Sequence, residues 1–205
     1  MNIPLPPFYL ITIDCTGNIN HYLSALENSL LQGAQLVQFR SKNLDAENYL
    51  FLAEQVTDLV HKYGGKIVLN GSPNLLDKVN ADGIHFTSAA IAEHTSRPLP
   101  ENYLVSVACH NEEQIQQANL VKPNFAVLCP VFATPSSPKG IPLGWDKFKA
   151  VVSKAKFPVY ALGGLEPKDY SIARENGAYG LAAKRALWDL EKPLAAFEST
   201  AEHSE

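Results

Sequence analysis

The residues best suited to chemistry are Gln38, Arg40 and Lys42, which end a mostly apolar run. On a β-strand alternate side chains share a face, so these three would lie on one face and Phe39 on the other. Two cations and an amide at a strand end suit a ligand that carries phosphate. An edge strand with solvated charges is the alternative that this segment alone leaves open.

A second group of candidates could bind phosphate near the C-terminus. Gly163 and Gly164 directly follow the apolar run 159–162, and glycine lets backbone N–H groups approach a phosphate closely. Lys184 and Arg185 follow the last apolar run and are predicted to open the last helix. Cations there oppose the helix dipole, so a bound anion would account for them. We predict a phosphate site at these four residues, with a plain tight turn as the alternative for the glycine pair.

Three more candidates for substrate binding, and one for catalysis, also follow apolar runs. His85 and His110 end the fourth and fifth runs, and each could act as an acid or base near neutral pH. Packing beneath a loop is the alternative for each histidine. Asn70 ends the third run, where its amide could hold a ligand or cap a turn, and Thr134 follows the sixth. We predict that Asn70, His85 and Thr134 bind substrate and that His110 is catalytic.

Metal, disulfide and serine-hydrolase chemistry find little support. The chain has three cysteines, Cys15, Cys109 and Cys129, which are widely spaced and include no Cys-x-x-Cys pair. We therefore predict that each cysteine is a small buried residue. No two carboxylates are placed for a divalent metal, because Asp82 begins its apolar run rather than ending it. A Gly-x-Ser-x-Gly elbow is also missing. We therefore predict no metal ligands and no cofactor.

Composition points to a globular chain with a local anion site. Its 205 residues are 46% apolar and 19% charged, enough for one domain with a sizeable core. The net charge of −4 gives no overall attraction to nucleic acid or to an anionic membrane. The first residues lack a basic segment, and no apolar run reaches about 18 residues. We predict a cytoplasmic protein with a small phosphorylated substrate, leaving a homo-oligomer open.

Eight apolar, β-branched or aromatic runs alternate with helical segments along the chain. This alternation predicts a single (β/α)8 TIM barrel, an α/β fold, and an open doubly wound sheet is the alternative. The open sheet would need a Gly-x-Gly-x-x-Gly turn after its first strand, which is missing. The predicted strands are Phe8–Ile13, Gln35–Arg40, Lys66–Asn70, Asp82–Phe86, Tyr103–Ala108, Asn124–Cys129, Pro158–Leu162 and Ala178–Ala183.

Apolar residues at helical spacing fill the connections. Asn111 is predicted to cap its helix, and the segment after Phe86 is predicted to form only one turn. We predict one domain over 1–205 whose last eight or so residues form a loose tail. The Pro/Ser-rich loop Ala133–Gly144 could act as a lid over the strand ends. The predicted helices are Asn20–Gln32, Asp45–Tyr63, Asn111–Leu120, Asp146–Ala155 and Pro167–Glu175.

Nearly the whole chain resembles the thiamine phosphate synthase and thiazole tautomerase family of (β/α)8 barrels. The resemblance depends on the order and spacing of short motifs more than on any one of them. They are Gln38-x-Arg40-x-Lys42, Leu69-Asn70, Ala81-Asp82-Gly83-Ile84-His85, His110, Pro130-Val131-Phe132-Ala133-Thr134, Gly163-Gly164-Leu165 and Gly177-Ala178-Tyr179-Gly180-Leu181-Ala182. The C-terminal domain of some Nudix-hydrolase fusions is still more similar, over His85–Ser88 and Ala108–Asn111.

The resemblance implies roles for several strand-end residues. Thiamine phosphate synthase joins a pyrimidine diphosphate to a thiazole phosphate and releases pyrophosphate, using magnesium. Arg40 and Lys42 would then hold the diphosphate, and Gln38 and Asn70 would position the pyrimidine. The Gly163-Gly164 turn and the start of the last helix would hold the thiazole phosphate.

The chain departs from the synthase pattern where magnesium would bind. Gly71 stands where the family has an aspartate after the third strand, and Ala90 aligns with its second magnesium aspartate. Ala108 replaces a serine, and the lysine of the Thr-x-Thr-Lys loop is displaced within Thr134–Lys139. A diphosphate leaving group needs its charge neutralised, normally by a bound metal. The departures therefore argue against efficient synthase chemistry.

Three functions remain open. The first is a metal-independent, tautomerase-like enzyme of thiamine synthesis or salvage. His110 aligns with the histidine that serves tautomerases, although many synthases share it. The second is a true synthase whose magnesium other groups hold. The third is a binding or regulatory protein that kept the phosphate site.

Overall fold

Eight parallel strands close into one barrel in the computed structural model, which describes residues 5–135 and 140–198. Each strand pairs with its neighbour in chain order, and the first pairs with the last. The predicted (β/α)8 barrel is thereby confirmed over the open sheet. The strands are β1 (Phe8–Ile11), β2 (Leu36–Phe39), β3 (Lys66–Asn70), β4 (Gly83–Phe86), β5 (Leu104–Cys109), β6 (Phe125–Leu128), β7 (Val159–Leu162) and β8 (Gly180–Ala183).

Most predicted helices are present, with ends shifted by a few residues. The helix predicted to open at Lys184 is wrong, because only the three-residue 3₁₀ turn Arg185–Leu187 forms there. Further 3₁₀ turns cover Pro73–Asp77 and Pro167–Asp169. The α-helices are α1 (Ile19–Leu31), α2 (Ala46–Lys62), α3 (Ser88–Ala92), α4 (Glu112–Val121), α5 (Gly144–Val152), α6 (Tyr170–Glu175) and α7 (Ala195–Glu198).

Side-chain caps fix where the helices begin. The predicted cap of α4 is confirmed, since Asn111 Oδ1 accepts a hydrogen bond of 2.9 Å from the Gln114 N–H. Asp45 caps α2 in the same way through the Asn48 N–H, also at 2.9 Å. The first N–H groups of a helix have no partner within it, so each cap satisfies one of them. The caps hold the helices directly after the loops that leave the strand ends.

Two separate apolar clusters divide the core between the faces of the strands. Alternate strand residues point inward, where Tyr9, Phe125 and Tyr160 pack edge to face or tilted, with ring centroids 5.1–5.6 Å apart. The other strand residues face the helices and join the larger cluster. The barrel interior is therefore filled with aromatic and aliphatic side chains, and polar groups collect beyond them at the C-terminal strand ends.

Three predicted features lie partly or wholly outside a strand or outside the described residues. Strand β2 ends at Phe39, so Arg40 and Lys42 lie beyond it rather than on it. The predicted lid Ala133–Gly144 includes residues 136–139, which lie outside the described residues. The predicted tail falls almost wholly on 199–205, also outside them. None of the helices within 5–135 and 140–198 has the length and hydropathy of a membrane-spanning segment.

Candidate active site at the C-terminal end of the barrel

Strand alternation divides Gln38 from Phe39 as predicted. Gln38 is 2% exposed and points into the barrel, where its Nε2 donates a hydrogen bond of 2.8 Å to the Tyr9 hydroxyl. Phe39 points outward and its ring packs on Tyr49, with centroids 4.9 Å apart. Gln38 is thus part of the interior rather than the rim. Any ligand it contacts must reach down to the inner end of the opening.

We call the opening at the C-terminal strand ends the mouth; Arg40, Asn70, His110 and Lys184 border it. Arg40 is fixed there through its backbone. Its N–H donates to the buried Thr12 Oγ1 at 3.0 Å, and the same hydroxyl donates to the Arg40 carbonyl at 3.2 Å. This double contact holds the chain just after β2 against the end of β1. The half-buried Arg40 side chain extends from a fixed point.

Asp14 lies among the cations of the mouth. Its Oδ2 accepts a hydrogen bond of 2.8 Å from Lys184 Nζ, and its Oδ1 accepts one of 2.9 Å from the backbone N–H of Lys42. Partial burial raises the pKa of Asp14, but the Lys184 and Lys42 bonds, helped by the charge of Arg40, outweigh it and hold the pKa below its usual value. Asp14 is therefore a carboxylate at neutral pH and balances part of the positive charge.

Lys42 and Arg185 are exposed, whereas Lys184 is half-buried against Asp14. The prediction that Lys184 and Arg185 oppose a helix dipole has no basis in the structure, because no α-helix begins there. Their positive charge remains at the mouth, after the last strand. The structure thus places Lys184 and the charge of Arg40 around Asp14, and it leaves the Arg185 and Lys42 side chains open to solvent.

The glycine pair forms a turn packed against the loop after β6. Gly163 and Gly164 have φ angles of +110° and +68°, which L side chains rarely adopt. A Cβ on Gly163 would lie 2.8 Å from Pro130 Cα, and one on Gly164 would lie 2.9 Å from Phe132 Cβ. The Phe132 N–H also donates to the Gly163 carbonyl at 3.0 Å. Both glycines are required by this packing, whatever they bind.

His110 is exposed at the mouth with one nitrogen fixed. Its Nδ1 lies 2.7 Å from the backbone carbonyl of Cys129, and a carbonyl can only accept, so Nδ1 carries the hydrogen. The neutral ring therefore has its lone pair on Nε2. Gln114 Oε1 also accepts the His110 N–H at 2.8 Å, which ties the residue to α4. In its neutral form, His110 therefore presents Nε2 as the nitrogen that can accept a proton.

His85 has the opposite environment. It is 5% exposed on β4, with Asn70 of β3 beside it on one side and Ser106 of β5 on the other. Its Nδ1 lies 2.8 Å from Ser106 Oγ. Burial, and then the nearby charge of Arg40, lowers the pKa of His85 to about 3, so the ring is neutral at physiological pH. His85 and His110 are unlike despite their similar positions at strand ends.

Asn70 and Thr134 complete the predicted set. Asn70 is half-buried at the end of β3, and its carbonyl accepts a hydrogen bond of 3.2 Å from the Tyr49 hydroxyl. Thr134 is half-buried in the loop after β6, beside residues 136–139. A surface cavity of about 370 Å³ lies far from both, between Val159, Arg174 and Tyr179 at the N-terminal end of the barrel. The polar groups that could do chemistry converge instead at the mouth.

The side chains at the mouth do not fit a magnesium ion. Among the described residues, no three His, Cys, Asp or Glu side chains form a group that could hold a metal. Asp14 lies among the cations of the mouth, and its two oxygens accept hydrogen bonds from Lys184 Nζ and from the Lys42 N–H. Gly71 and Ala90 offer no oxygen ligand from a side chain. We therefore assign no step to a metal.

Several functional contacts could not be found by reading the sequence. Asp14 follows the first apolar run, but its partner Lys184 is 170 residues away. Tyr9 and Ser106 have the pattern of ordinary strand residues, although they bond to Gln38 and His85. Alternation along β1 and β5 could have placed both inside the barrel. Nothing local indicates that their hydroxyls would meet.

Comparisons with known proteins agree with this architecture. A model of the family described as thiamine monophosphate synthase matches residues 8–187. A putative thiamine-phosphate synthase 2 of Aquifex aeolicus is 33% identical over 178 residues, covering 87% of this chain and 95% of that protein. A putative thiamine-phosphate synthase of Geobacter sulfurreducens is 30% identical over 181 residues, covering 87% and 85%. The solved thiamine phosphate pyrophosphorylase of Pyrococcus furiosus has the same fold, with a TM-score of 0.74 at 19% identity, covering 95% of this chain and 93% of that one.

Proposed function

Because the chain belongs to the thiamine monophosphate synthase family, we propose that its mouth binds a thiazole phosphate and that His110 moves a proton on it without a metal. The fixed tautomer of His110 carries this proposal. Its Nδ1–H donates to the Cys129 carbonyl, which leaves Nε2 free to accept a proton. A neutral histidine with an oriented lone pair suits general base catalysis near neutral pH.

The proposed reaction is a proton shift on a thiazole carboxylate phosphate. His110 Nε2 takes a proton from one ring position as a base, and the protonated ring returns a proton to another position as an acid. No proton is gained or lost overall. Arg40, Lys184 and Arg185 offer positive charge to the phosphate, and the Gly163-Gly164 turn offers backbone N–H groups. Lys42, Asn70, His85 and Thr134 are proposed to contact the rest of the ligand, with Gln38 at its inner end.

A second candidate is thiamine phosphate synthase itself. The names of the Aquifex and Geobacter relatives favour it. The positive charges of Arg40 and Lys42 could accept a diphosphate, as the family resemblance implies. The argument against the synthase is that a metal normally neutralises the charge of the pyrophosphate leaving group. A catalytically silent protein that only binds the phosphate is the third candidate.

Proton–deuterium exchange on the thiazole substrate, followed by NMR, tests the first candidate against the third. The native protein should catalyse exchange, and His110→Ala should abolish it. His110→Asn is the sharper variant, because its amide can still donate to the Cys129 carbonyl but cannot act as a base. We expect exchange about 100-fold slower or worse, with an unchanged melting temperature. No exchange by the native protein would leave only binding.

A thermal-shift screen separates the first candidate from the second. Thiazole phosphate, pyrimidine diphosphate, thiamine phosphate and pyrophosphate are each added with and without magnesium. Stabilisation by the single phosphates alone supports the proposed function. Stabilisation by the diphosphate that depends on magnesium supports the synthase, as would tight binding of magnesium alone in calorimetry. The screen uses purified protein and assumes nothing about its oligomeric state.

A further inference from the structure

The side chains that point into the barrel at the C-terminal strand ends divide into a polar half and an apolar half. Gln38 on β2, Asn70 on β3 and His85 on β4 form the polar half. The inward positions at the ends of β5, β6 and β7 carry apolar or thiol side chains, which pack on the inner of the two apolar clusters. These residues are Ala108, Cys129 and Leu162, and we call them the apolar floor.

The strand register makes the apolar floor one continuous surface. The residues just before Cys129 and Leu162 are paired in register, so these two side chains lie next to each other on neighbouring strands. Ala108 is paired with Val127, two residues before Cys129, and alternation puts all three on the inward face. Ala108 is therefore the diagonal neighbour of Cys129.

The apolar floor is open to the mouth. Phe125 and Tyr160, which fill the barrel beneath it, are 0% exposed. Ala108, Cys129 and Leu162 are each half-buried. Because the layer beneath them is sealed, these inward side chains reach solvent only through the C-terminal opening. A ligand in the mouth can therefore touch them.

Cys129 brings the apolar floor up to the candidate catalytic residue. Its Sγ lies 3.5 Å from His110 Nδ1, the nitrogen that also contacts the Cys129 carbonyl. Burial raises the pKa of the Cys129 thiol to about 12, so the thiol is neutral and behaves as a small apolar group. A ligand that reaches His110 therefore lies beside an apolar surface.

The cations of the mouth belong to other strands than the apolar floor. Arg40 follows β2 and Lys184 follows β8, and both lie around Asp14, which follows β1. The mouth thus offers positive charge on one side and apolar surface on β5 to β7. A sugar phosphate would turn hydroxyl groups toward the apolar floor and leave them without partners. A flat ring that carries a phosphate on a side chain matches both sides.

We propose that the apolar floor is the subsite for the ring of a small phosphorylated heterocycle and its alkyl substituent, and that Cys129 sets the size of the group that fits. The floor selects aromatic monophosphates over sugar phosphates. The cations hold the phosphate, and His110 faces the ring above the floor. The identity of the ring as a thiazole rests on the proposed function, whereas the preference for an apolar ring does not.

Calorimetry with two simple phosphates tests the preference. The native protein should bind phenyl phosphate at least about tenfold more tightly than ribose 5-phosphate. Cys129→Ser keeps the size of the side chain but makes it polar, and should reduce this ratio about threefold. Cys129→Leu fills the floor and should weaken phenyl phosphate binding about tenfold, with inorganic phosphate unaffected. Equal affinity of the native protein for both ligands, or a ratio that neither variant changes, would overturn the proposal.

Two further variants separate this effect from a loss of folding. Cys109→Ser is the matched control, because Cys109 faces the helices, with its Sγ 3.6 Å from the Gln114 carbonyl oxygen. Its binding ratio should equal that of the native protein. Ala108→Leu fills the floor from the next strand and decides the question if the Cys129 variants do not fold, as melting temperatures will show. A native ratio in folded Ala108→Leu, or an altered one in Cys109→Ser, would refute the subsite.

Thiazole phosphate distinguishes this proposal from the proposed function. It should bind the native protein and bind Cys129→Leu about tenfold more weakly. If the native protein does not bind thiazole phosphate but still prefers phenyl phosphate to ribose 5-phosphate, the proposed function fails and the apolar floor stands. If thiazole phosphate binds the native protein and folded Cys129→Leu equally well, the apolar floor fails and the proposed function stands.

Discussion

Lys184 Nζ donates a hydrogen bond of 2.8 Å to Asp14 Oδ2, joining the ends of the last and first strands of the barrel. Asp14 also accepts the Lys42 N–H and lies within the influence of Arg40. The mouth therefore contains an anion of its own among the cations. An incoming phosphate has to share Lys184 with Asp14 or take its place.

Replacing Asp14 with Asn should strengthen phosphate binding. The substitution removes a negative charge beside Lys184 while keeping a group that can accept the Lys42 N–H. We expect thiazole phosphate to bind about three- to tenfold more tightly, as measured by calorimetry at low salt. Glu27→Gln is the matched control, since Glu27 pairs with Lys62 on the outer helices. Weaker binding in Asp14→Asn would mean that Asp14 mainly positions Lys184.

Replacing Arg185 with Ala should weaken phosphate binding about tenfold, the contribution of one charge-assisted hydrogen bond. Arg185 is exposed at the mouth, so the fold should be unaffected. Lys147→Ala removes an equal charge from the exposed face of α5 and should leave affinity unchanged. Titration of the two variants with thiazole phosphate provides the comparison. Unchanged affinity in Arg185→Ala would remove Arg185 from the phosphate site.

The buried His85 should make stability fall in mild acid. Its pKa is lowered to about 3 in the folded chain, against about 6.5 in the unfolded chain. Between these values the unfolded chain binds more protons, so stability rises with pH over that window and is complete above about 6.5. From pH 7 to pH 5 the contribution lost is up to about 2 kcal/mol.

Urea unfolding of the native chain and of His85→Asn at pH 7 and pH 5 measures that contribution. The native chain should lose more free energy of unfolding than the variant between the two pH values. Both values lie above the ordinary pKa of aspartate, which keeps Asp14 and Asp82 ionised throughout. Identical losses in the two proteins would show that His85 is protonated as easily in the folded state as in the unfolded one.

Asp82 should matter for stability and not for function. It lies at the N-terminal end of the barrel, where its carboxylate binds Lys66 Nζ at 2.7 Å, His61 Nε2 at 2.9 Å and the Ile67 N–H at 2.9 Å. Burial opposes ionisation, but these contacts outweigh it and lower the pKa of Asp82. Asp82→Asn should cost about 2 kcal/mol of unfolding free energy.

The measurement for Asp82 is urea unfolding beside the thiazole exchange assay. Exchange per folded molecule should stay at the native rate, because residues at this end of a barrel support the fold. Glu101→Gln is the control for an exposed carboxylate, since Glu101 pairs loosely with Arg97 at 3.7 Å. A slower exchange rate in folded Asp82→Asn protein would contradict the separation of the two ends.

The strands could be predicted because each one is a short apolar run that can be recognised from neighbouring residues alone. Lys66–Asn70 was predicted to the residue, and the inward Gln38 and outward Phe39 follow from alternation alone. The turn at Arg185 could not be predicted, because whether a helix continues there depends on packing against other elements. The helix was expected at Lys184 and Arg185 because they follow the last predicted strand, where a (β/α)8 barrel ordinarily continues into a helix.

The position of each candidate residue in the fold could be predicted better than its protonation state or its hydrogen-bond partners. Arg40, His110 and Lys184 reach the mouth because strand ends of a barrel converge there. The neutral His85 and the engaged Asp14 depend on partners far along the chain. A sequence shows which groups can titrate, but burial and distant charges decide which form each adopts. Family membership suggests a small phosphorylated ligand, and burial distinguishes the two histidines.

Because β1 pairs with β8, the site is complete only after the barrel has closed. Arg40 is nearer the start of the chain and Lys184 near its end, and both lie around Asp14, whose hydrogen bond to Lys184 requires that this seam is closed. Closing so long a loop is a late and entropically costly contact. A phosphate held by both would bind only the closed barrel and so favour closure by mass action.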